Sequence, residues 1–534
     1  MQTFPLSRRS LLTASLGAVA APLLLGAAPA PVIRDRTLLA NLEPEPAGLV
    51  AGISISAPAV VVSANIFDGL VEYDETGALR PSLATAWEES EDGLTVTFRL
   101  RPDVTWHDGQ PFTSADVQYS VMEVTKKFHP RGNATLAPVT TIDTPDPHTA
   151  IFRLSSRSPV FWQVLNGIET QILPRHLYEG TNPLANPWTA KPIGTGAFVF
   201  KEWARGSHVT LERNPNYWDK DRQPFLDRIV FKIISDPGAR EAALETGSIA
   251  YAPLSPVPLS DVARVRTLGT LAVDDGAFRG TAPMYFFDFN LRRPQFRDLR
   301  VRQAFAHAID RQALADVVWY GLAQPATGPI PHFQTQHYER VEPQFDYDPD
   351  RAKALLDAAG HTPDGNGVRM TIDHIPCAFG EEYVRAGEVL RQQLRRIGVK
   401  VNLRTMDLPT YLRVIFSERD FDTQSAWYAA YPDPQIGVTR RYWSKAIKLG
   451  TPSSNASGYS SPVMDALCEG MQTESDPAKR HELIRQFQVL AQTDLPSINL
   501  LELTFIRVYA RGLAGIDPGL WGGYQSFKTI RPVA

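Results

Sequence analysis

Alternating strand patterns and amphipathic helix patterns follow one another along most of this chain. Residues 95–100, Thr-Val-Thr-Phe-Arg-Leu, alternate polar and apolar positions, which predicts a half-buried strand. In residues 301–309 apolar side chains recur at helical spacing, and Asp298 precedes them as a residue that stabilises a helix N-terminus. The chain is therefore expected to mix strands and helices throughout.

Two distant segments carry the pattern of strand, helix and strand. Such a unit places parallel strands in one sheet and packs the helix against it. Because a long stretch of chain separates the two units, we expect two α/β lobes rather than one large sheet. The first unit has strand 228–234, helix 239–246 and a strand from Ile249; the second has strand 368–372, helix 382–397 and strand 399–403.

A dense aromatic stretch occupies residues 427–434, Trp-Tyr-Ala-Ala-Tyr-Pro-Asp-Pro. The Pro-Asp-Pro sequence predicts a turn, so a strand is expected to end here and to pass its aromatic side chains to a loop. Trp427, Tyr428 and Tyr431 then become candidates to line a crevice, since aromatic rings give large, stiff contact areas for a ligand. The alternative is that Trp427 and Tyr428 are ordinary core residues.

Composition and charge narrow the range of functions that this chain can have. The 534 residues are 43% hydrophobic and 21% charged, which is an ordinary balance for a globular protein with a sizeable core. The formal net charge is −4, and no long run of one sign occurs. Nucleic acid and anionic membrane surfaces are therefore not expected as partners.

The first thirty residues are expected to be an export signal rather than part of the fold. Arg8 and Arg9 form a twin-arginine pattern, an Ala/Gly-rich apolar run follows, and residues 28–30 offer an A-x-A cleavage site. A membrane anchor is the alternative, but Gly17, Pro22 and Gly26 interrupt the run. Removing residues 1–30 takes away two arginines and no acidic residue, which changes the formal charge from −4 to −6.

The two cysteines, Cys377 and Cys468, lie far from the signal. We therefore expect no lipid anchor on an N-terminal cysteine, and a soluble protein of the periplasm. An even count permits one disulfide. Two separate buried thiols are the favoured interpretation, because the twin-arginine route exports chains that folded in a reducing cytosol.

Several motifs, in order along the chain, resemble those of the extracellular solute-binding proteins of ABC transporters, family 5, which includes peptide-binding proteins. They are residues 67–117 (FDGLVEYDETGALRPSLATAWEESEDGLTVTFRLRPDVTWHDGQPFTSADV), the glycine loop 192–198, the Arg-Asn-Pro-Asn-Tyr-Trp segment 213–218 and the segment 298–311. The resemblance implies a two-lobe periplasmic-binding-protein fold of type II, with an extra subdomain in the first lobe and a hinged ligand cleft. It implies a binding protein without catalytic residues or a cofactor, working with an inner-membrane ABC permease and its ATPase.

The resemblance also implies domain boundaries. The first lobe is expected at residues 31–280 with an inserted subdomain at about 70–190, the second lobe at 281–500, and a return to the first lobe at 501–534. The chain would cross between the lobes near 278–285 and again near 500–505. A monomer is expected.

Catalytic and metal motifs are absent from the sequence: it has no G-x-S-x-G, H-E-x-x-H, C-x-x-C or G-x-x-x-x-G-K-[ST] segment. His332 and His337 have a poor spacing for a metal, and residues 364–367, Asp-Gly-Asn-Gly, predict a turn. One alternative function is a secreted α/β hydrolase that joins a serine to His107 or His208. Another is an extracytoplasmic sensor or chaperone that uses the same cleft.

The prediction of the ligand rests on residues in which this sequence departs from the family. Its peptide-binding members carry an acidic residue just before the loop tyrosine, for the peptide's α-ammonium, and the strand can supply an arginine for its carboxylate. Here those positions hold Ala430 and Gln424, and Asp433 lies beyond the tyrosine. An ammonium buried without a charged partner is costly, so this mode is not expected unchanged.

We therefore expect a peptide-like or other small organic solute, held mainly by the three aromatic residues. An anionic group of the solute would be bound by Arg440 or Arg441. The glycine loop is a further candidate, since a tight turn at Thr195 and Gly196 can bring backbone N–H groups close to a ligand.

Overall fold

The computed structural model describes residues 33–74, 77–278, 280–452, 454–516 and 521–533 of the protein. The predicted export signal, residues 1–30, lies outside them. Within the described residues, sheets of seven, six and four strands carry most of the β-structure, and helices cover them. The α/β, two-lobe organisation predicted from the sequence is confirmed, with one large sheet in each lobe.

The first sheet is the framework of the first lobe. Strand Thr37–Leu42 lies between Arg228–Ile233 and Tyr251–Ala252 and runs parallel to both. Helix Pro237–Glu245 therefore joins strands that are not neighbours, because the N-terminal strand, with Leu38, Ala40 and Leu42 fully buried, is inserted between them. The strand order is Leu271–Asp274, Arg507–Ala510, Tyr251–Ala252, Thr37–Leu42, Arg228–Ile233, His208–Arg213, Phe198–Ala204.

The second sheet is the framework of the second lobe. The predicted crossover is confirmed: strands Met370–Pro376 and Val399–Leu403 pair in parallel, and helix Glu381–Arg395 joins them. Leu390 and Leu394 of that helix are buried, as the helical spacing of apolar residues requires. The strand order is Ala323–Pro325, Ser497–Leu503, Pro283–Phe289, Thr423–Ala429, Met370–Pro376, Val399–Leu403.

A third, antiparallel sheet lies within residues 84–154, and its apolar side chains join the hydrophobic core of the first lobe. The ring of Phe152 packs there edge to face with two others. Its centroid lies 5.2 Å from that of Phe98 and 5.6 Å from that of Phe161. The strand order is Ala84–Glu89, Thr95–Leu100, Thr149–Leu154, Val139–Asp146, and shorter pairs are Val71–Tyr73 with Leu79–Pro81 and Leu513–Ala514 with Arg531–Pro532.

α-Helices lie both before and after residue 280. Those before residue 280 are Ala57–Ser63, Ser114–Tyr119, Lys126–Phe128, Gly132–Thr135, Phe161–Val164, Arg175–Tyr178, Pro237–Glu245 and Val262–Thr267. Those after it are Leu299–Ala308, Arg311–Trp319, Pro349–Ala358, Glu381–Arg395, Leu408–Leu412, Pro434–Gly437, Pro462–Thr473 and Pro477–Asp494. Asp298 caps the first helix of this second set by accepting a hydrogen bond from the Arg300 N–H, as the sequence predicts.

Between Leu271 and Ala510 the chain passes between the two large sheets twice. It leaves the first sheet at Asp274 and enters the second at Pro283, and it leaves the second at Leu503 and returns to the first at Arg507. Residues 275–278 and 280–282 belong to the first connection between the two sheets, and residues 504–506 form the second. The lobe boundaries inferred from the resemblance stay predictions.

The cysteines are separate thiols. Cys377 and Cys468 are both buried and free, which confirms the favoured interpretation over a disulfide. Burial raises the pKa of both thiols. Neither is therefore disposed to react at neutral pH.

The glycine loop is held tightly against the segment that follows helix Ala57–Ser63. A Cβ atom added to Gly194 would lie 1.8 Å from the carbonyl oxygen of Ile66, and one added to Gly196 would lie 2.6 Å from the carbonyl carbon of Ile66. Real Cβ atoms essentially never come so close to backbone. Only glycine at these positions permits the contact between the loop and Ile66.

The first prediction tests this contact. We expect Gly194→Ala to lower the free energy of unfolding by about 1–3 kcal/mol or more, because backbone must move to admit the methyl group. Urea denaturation measures the change. Gly269→Ala is the control, since nothing lies within 4 Å of its added Cβ; equal stability losses in the two variants would contradict the contact.

Candidate functional site

The aromatic stretch divides between a strand and a loop. Trp427 and Tyr428 lie on strand Thr423–Ala429, which keeps its pairing with Pro283–Phe289 to its last residue, and Tyr431 lies in the loop that follows. The expectation that all three pass to a loop is therefore wrong. Tyr428 is only 4% exposed, and its hydroxyl donates to the Pro329 carbonyl over 2.7 Å, so the core interpretation holds for this residue. Trp427, on the other face, is half-buried.

Asp433 and Arg441 are both neutralised inside the second lobe. Asp433 has no exposed surface, caps helix Pro434–Gly437 and pairs with Arg480 at 2.8 Å. Arg441 pairs with Asp288 at 2.7 Å, and its guanidinium lies 3.3 Å from the ring centroid of Phe286. Ligand contact by Tyr428, Asp433 or Arg441 stays a prediction; their described contacts serve the fold of this lobe.

Thr195 and Gly196 make hydrogen bonds within the first lobe. The Thr195 hydroxyl donates to the buried carboxylate of Asp68 over 2.9 Å. The Gly196 N–H donates to the Ile66 carbonyl over 2.8 Å, and the Gly196 carbonyl accepts from the Asn214 amide over 3.0 Å. These bonds hold the glycine loop in place, and its contact with a ligand stays a prediction.

Tyr431 reaches from the second lobe into the first. It follows a strand of the second sheet, but its ring belongs to the hydrophobic core of the first lobe and lies 5.7 Å from the ring of Trp521. The guanidinium of Arg131, from the first lobe, lies 4.5 Å from the Tyr431 ring centroid. The loop that the sequence singled out is thus a point where the two lobes meet.

Arg131 is itself part of a buried ion pair. Its Nε and one terminal nitrogen donate to the two carboxylate oxygens of Glu169, at 2.9 and 2.5 Å, and the two side chains are 3% and 2% exposed. Burial by itself would raise the pKa of Glu169, but the Arg131 charge holds it below its ordinary value. This two-pronged pair gives Arg131 one orientation, with a flat face toward Tyr431.

Arg440 brings a second positive charge to the same place. It is half-buried, it is an electrostatic neighbour of Arg131 and Glu169, and no carboxylate among the described residues lies within ion-pair distance of it. Its Nε is fully buried and has no hydrogen-bond partner within the described part of the chain. Burial, followed by the neighbouring Arg131 charge, lowers the pKa of Arg440 to about 10.

His129 stays neutral beside these arginines. It is 4% exposed, and its Nδ1 accepts a hydrogen bond from the Arg131 N–H over 3.3 Å, which leaves the proton on Nε2. Burial lowers the pKa of His129 to about 3, and the neighbouring Arg131 charge contributes to this. We refer to His129, Arg131, Glu169, Tyr431 and Arg440 as the interlobe cluster. It holds two positive charges and one negative charge.

A row of aromatic rings leads away from this cluster along the junction of the lobes. Trp427 lies 5.0 Å from Phe505 and 6.0 Å from Phe379, between ring centroids. Phe278 lies 6.0 Å from Phe505 and 5.3 Å from Tyr524, and the Tyr524 hydroxyl is an electrostatic neighbour of Tyr431 and Arg131. We call these five rings, Phe379, Trp427, Phe505, Phe278 and Tyr524, the aromatic wall. Two of them, Phe278 and Phe505, lie in the segments that connect the sheets.

Most of this site was missed from the sequence. Tyr431, Arg440 and Trp427 were candidates, whereas His129, Arg131, Glu169, Phe278, Phe505, Trp521 and Tyr524 were not. The available signal was the His-Pro-Arg-Gly segment 129–132, in which a charged residue sits at a sharp turn. Its partners Glu169 and Tyr431 are too distant in sequence for any spacing rule to connect them.

The histidines of the hydrolase alternative have other roles. His107 accepts from the Gly194 N–H through Nδ1, at 3.2 Å, and donates through Nε2 to the Gly196 carbonyl, at 3.1 Å, so both ring nitrogens hold the glycine loop. His208 contacts Ser207 at 2.9 Å and Glu202 at 3.3 Å, on an open face of the first sheet where Glu202 is 59% exposed. Glu202, Ser207 and His208 line an open depression at the surface, which water can enter.

The second prediction concerns the buried partner of Asp433. Arg480→Met removes the only described cation within 3 Å of this fully buried carboxylate and should cost about 3–5 kcal/mol of unfolding free energy. Urea denaturation measures this. Arg485→Met is the control on the same helix, because its pair with Glu482 is exposed, and we expect little change there. Equal, small effects would show that Asp433 finds another partner.

The third prediction follows from His129. Its pKa is about 3 in the folded protein and 6.5 in the unfolded chain, so the unfolded state binds more protons below pH 6.5. Stability should therefore fall as the pH drops from 6.5 toward 3, with a share of about 2 kcal/mol from His129 by pH 5. Urea titrations at pH 7 and 5 should show that share disappear in His129→Asn.

His481→Asn is the control for this measurement, because the His481 side chain is 48% exposed. It should keep the wild-type difference between the two pH values. If His129→Asn keeps that difference as well, the buried neutral state of His129 is wrong.

Comparisons with known proteins agree with this architecture. The family described as bacterial extracellular solute-binding proteins, family 5 Middle, matches residues 78–447. A Brucella ovis protein named as an ABC transporter peptide-binding protein is 28% identical over 443 residues, 80% of each chain. Heme-binding protein A of Haemophilus influenzae is 26% identical over 511 residues, 92% of this chain and 89% of that one.

The fold has solved counterparts. The oligopeptide-binding protein AppA of Bacillus subtilis, in complex with a nonapeptide, superposes with a TM-score of 0.81 at 23% identity, over 93% of this chain and 99% of that one. Among the described residues, no helix is long and apolar enough to cross a membrane. The family match covers well over half of the sequence, and this protein belongs to the bacterial extracellular solute-binding proteins of family 5.

Proposed function

We propose that this protein is the periplasmic substrate-binding component of an ABC importer, and that it captures a small organic solute with an anionic group between its lobes. Family membership supports the class, since relatives carry the names of ABC transporter peptide-binding and dipeptide-binding proteins. The observation that carries the ligand class is Arg440, a half-buried arginine without a described counter-ion at the meeting point of the lobes.

The charges of the interlobe cluster favour an anion. Arg131 and Arg440 carry two positive charges, Glu169 carries one negative charge, and His129 is neutral. Burying an uncompensated charge is costly, and a lowered arginine pKa is the sign of that cost. A carboxylate of the solute near Arg440 would balance the cluster and give the guanidinium its missing hydrogen-bond acceptor.

The same arrangement couples binding to closure. Arg131 and Glu169 belong to the first lobe, whereas Tyr431 and Arg440 belong to the second, so a solute in the cluster contacts both. Such a ligand favours the closed form by its differential affinity for the two forms. The segments 275–282 and 504–506 would serve as hinges, and Trp427, Tyr431 and the aromatic wall would enclose the apolar part of the solute.

The remaining expectations complete the proposal. The protein delivers its ligand to an inner-membrane permease with a cytoplasmic ATPase, catalyses no reaction, acts as a monomer and reaches the periplasm through its N-terminal signal. Ser207, His208 and Glu202 contact one another in an open depression, and this does not favour an enzyme, because such catalysis needs a site that excludes water.

The fourth prediction tests the ligand class with material from cells. The full chain is produced in a periplasm, purified without denaturation and examined by native mass spectrometry. We expect a bound small molecule that is released in urea and that makes the refolded protein more compact in small-angle scattering. Arg440→Gln should lower the occupancy at least about tenfold, since it removes the charge that binds the anion.

Arg395→Gln is the matched control, an exposed arginine of the second lobe at the end of helix Glu381–Arg395. It should retain the bound molecule. Wild-type protein that carries no small molecule and does not compact with periplasmic extract would contradict the proposed function. Equal occupancy in both variants would contradict the role of Arg440.

A further inference from the structure

An unpaired carboxylate, Glu382, lies at the far end of the aromatic wall from the interlobe cluster. It is half-buried in the first turn of helix Glu381–Arg395, and none of its described contacts is an ion pair or a hydrogen bond to another side chain. The nearest cation of its own helix, Arg385, donates instead to the Tyr320 hydroxyl over 2.7 Å. Arg385 and Arg240 are electrostatic neighbours of this half-buried carboxylate, but neither forms an ion pair with it in the described part of the chain.

The Glu382 carboxylate is folded back over Gly380. A Cβ atom added to Gly380 would lie 2.4 Å from a Glu382 carboxylate oxygen, so the side chain covers Gly380 closely. The preceding residue, Phe379, is 50% exposed and contacts the ring of Trp427. Glu382 thus covers the residue that follows Phe379, and Phe379 with Trp427 forms this end of the wall.

The first lobe faces this carboxylate from the other side. Arg240 is an electrostatic neighbour of Glu382, but its guanidinium donates to the carbonyls of Pro256, Ile234 and Ser235 at 2.8, 3.0 and 2.8 Å. Glu43 is a second carboxylate near Arg240. No ion pair within 4 Å joins Arg240 to an acidic residue in the described part of the chain. Burial raises the pKa of both Glu43 and Glu382.

The two ends of the wall therefore carry opposite surplus charge. At the interlobe cluster two arginines meet one glutamate. At the other end three carboxylates, of Glu43, Asp236 and Glu382, neighbour Arg240, and Arg385 is the second arginine near Glu382. Aromatic rings connect the ends, and a ring face next to a carboxylate is a favourable environment for an organic cation. A solute with one charge of each sign would neutralise both ends at once.

We propose that Glu382, together with the ring of Trp427, binds a cationic group of the solute, and that the solute is zwitterionic. This inference rests on the proposed function, to which it adds the second pole of the ligand. An ammonium beside Glu382 restores the partner that the carboxylate lacks, and it needs no acidic residue at Ala430. Specificity follows, because a plain anion leaves Glu382 unpaired and buried when the lobes close.

Two series of named probes test this proposal by calorimetry on the refolded, ligand-free full chain. The zwitterionic series runs from 4-aminobutanoate to 8-aminooctanoate, and the anionic series is the matching unsubstituted carboxylates from butanoate to octanoate. The carbon chains differ in length so that at least one compound of each series can span the aromatic wall. We expect the best zwitterion to bind wild type at least tenfold more tightly than the carboxylate of the same length.

Glu382→Gln should abolish this preference by weakening only the zwitterions. Glu381→Gln, an exposed neighbour in the same helical turn, should keep it. Equal affinity of the two series for wild type, or an unchanged preference in Glu382→Gln, overturns the proposal. Failure of both series to bind also overturns it, while the bound molecule and the compaction measured with periplasmic material decide the proposed function separately.

Discussion

The contact of Arg131 with Tyr431 is the interaction on which the arrangement of the two lobes depends. The guanidinium is fixed by two hydrogen bonds to Glu169, and its flat face lies against the tyrosine ring of the other lobe. An arginine held by a bidentate pair keeps its charge and its orientation when it is buried. The first lobe therefore offers a rigid surface, and the loop after strand Thr423–Ala429 fits against it.

The charge of this surface limits what can enter between the lobes. Closing the lobes removes water from Arg440, and the protein supplies no described carboxylate to replace it. In the proposed function, a closed form without ligand is penalised, and a solute with a matching anion removes the penalty. The proposed selectivity and closure thus share one physical cause, the incomplete neutralisation of a buried charge.

The aromatic wall adds contact area without adding charge. Its rings come from both lobes and from the two connecting segments, so the proposed solute along it would contact both lobes. Rings lose little side-chain entropy on binding and tolerate different apolar groups. In the proposed binding mode, the charged ends select the ligand class and the wall accommodates the size of the ligand.

The sequence by itself determined the class of fold, because its evidence is local. Alternation in residues 95–100, the helical stripe of 301–309 and the unit 370–403 concern neighbours in the chain, where periodicity and capping act directly. It also identified the family through ordered motifs, and it singled out Tyr431 and Arg440 by residue type. It did not show that strand Thr37–Leu42 enters between Arg228–Ile233 and Tyr251–Ala252, since strand order depends on long-range pairing.

Only the tertiary structure decided which polar residues have a hydrogen-bond or ion-pair partner within the fold and which do not. Asp433, Arg441 and Thr195 looked as available as Arg440, and each finds a partner that is remote in the sequence, in Arg480, Asp288 and Asp68. Glu382 gave no signal, and the turn at residues 129–132 was a weak signal for Arg131, because a charged residue in a helix or beside a turn is usually solvated. Whether a charge is neutralised depends on contacts across the whole chain, and these exist only after the chain has folded.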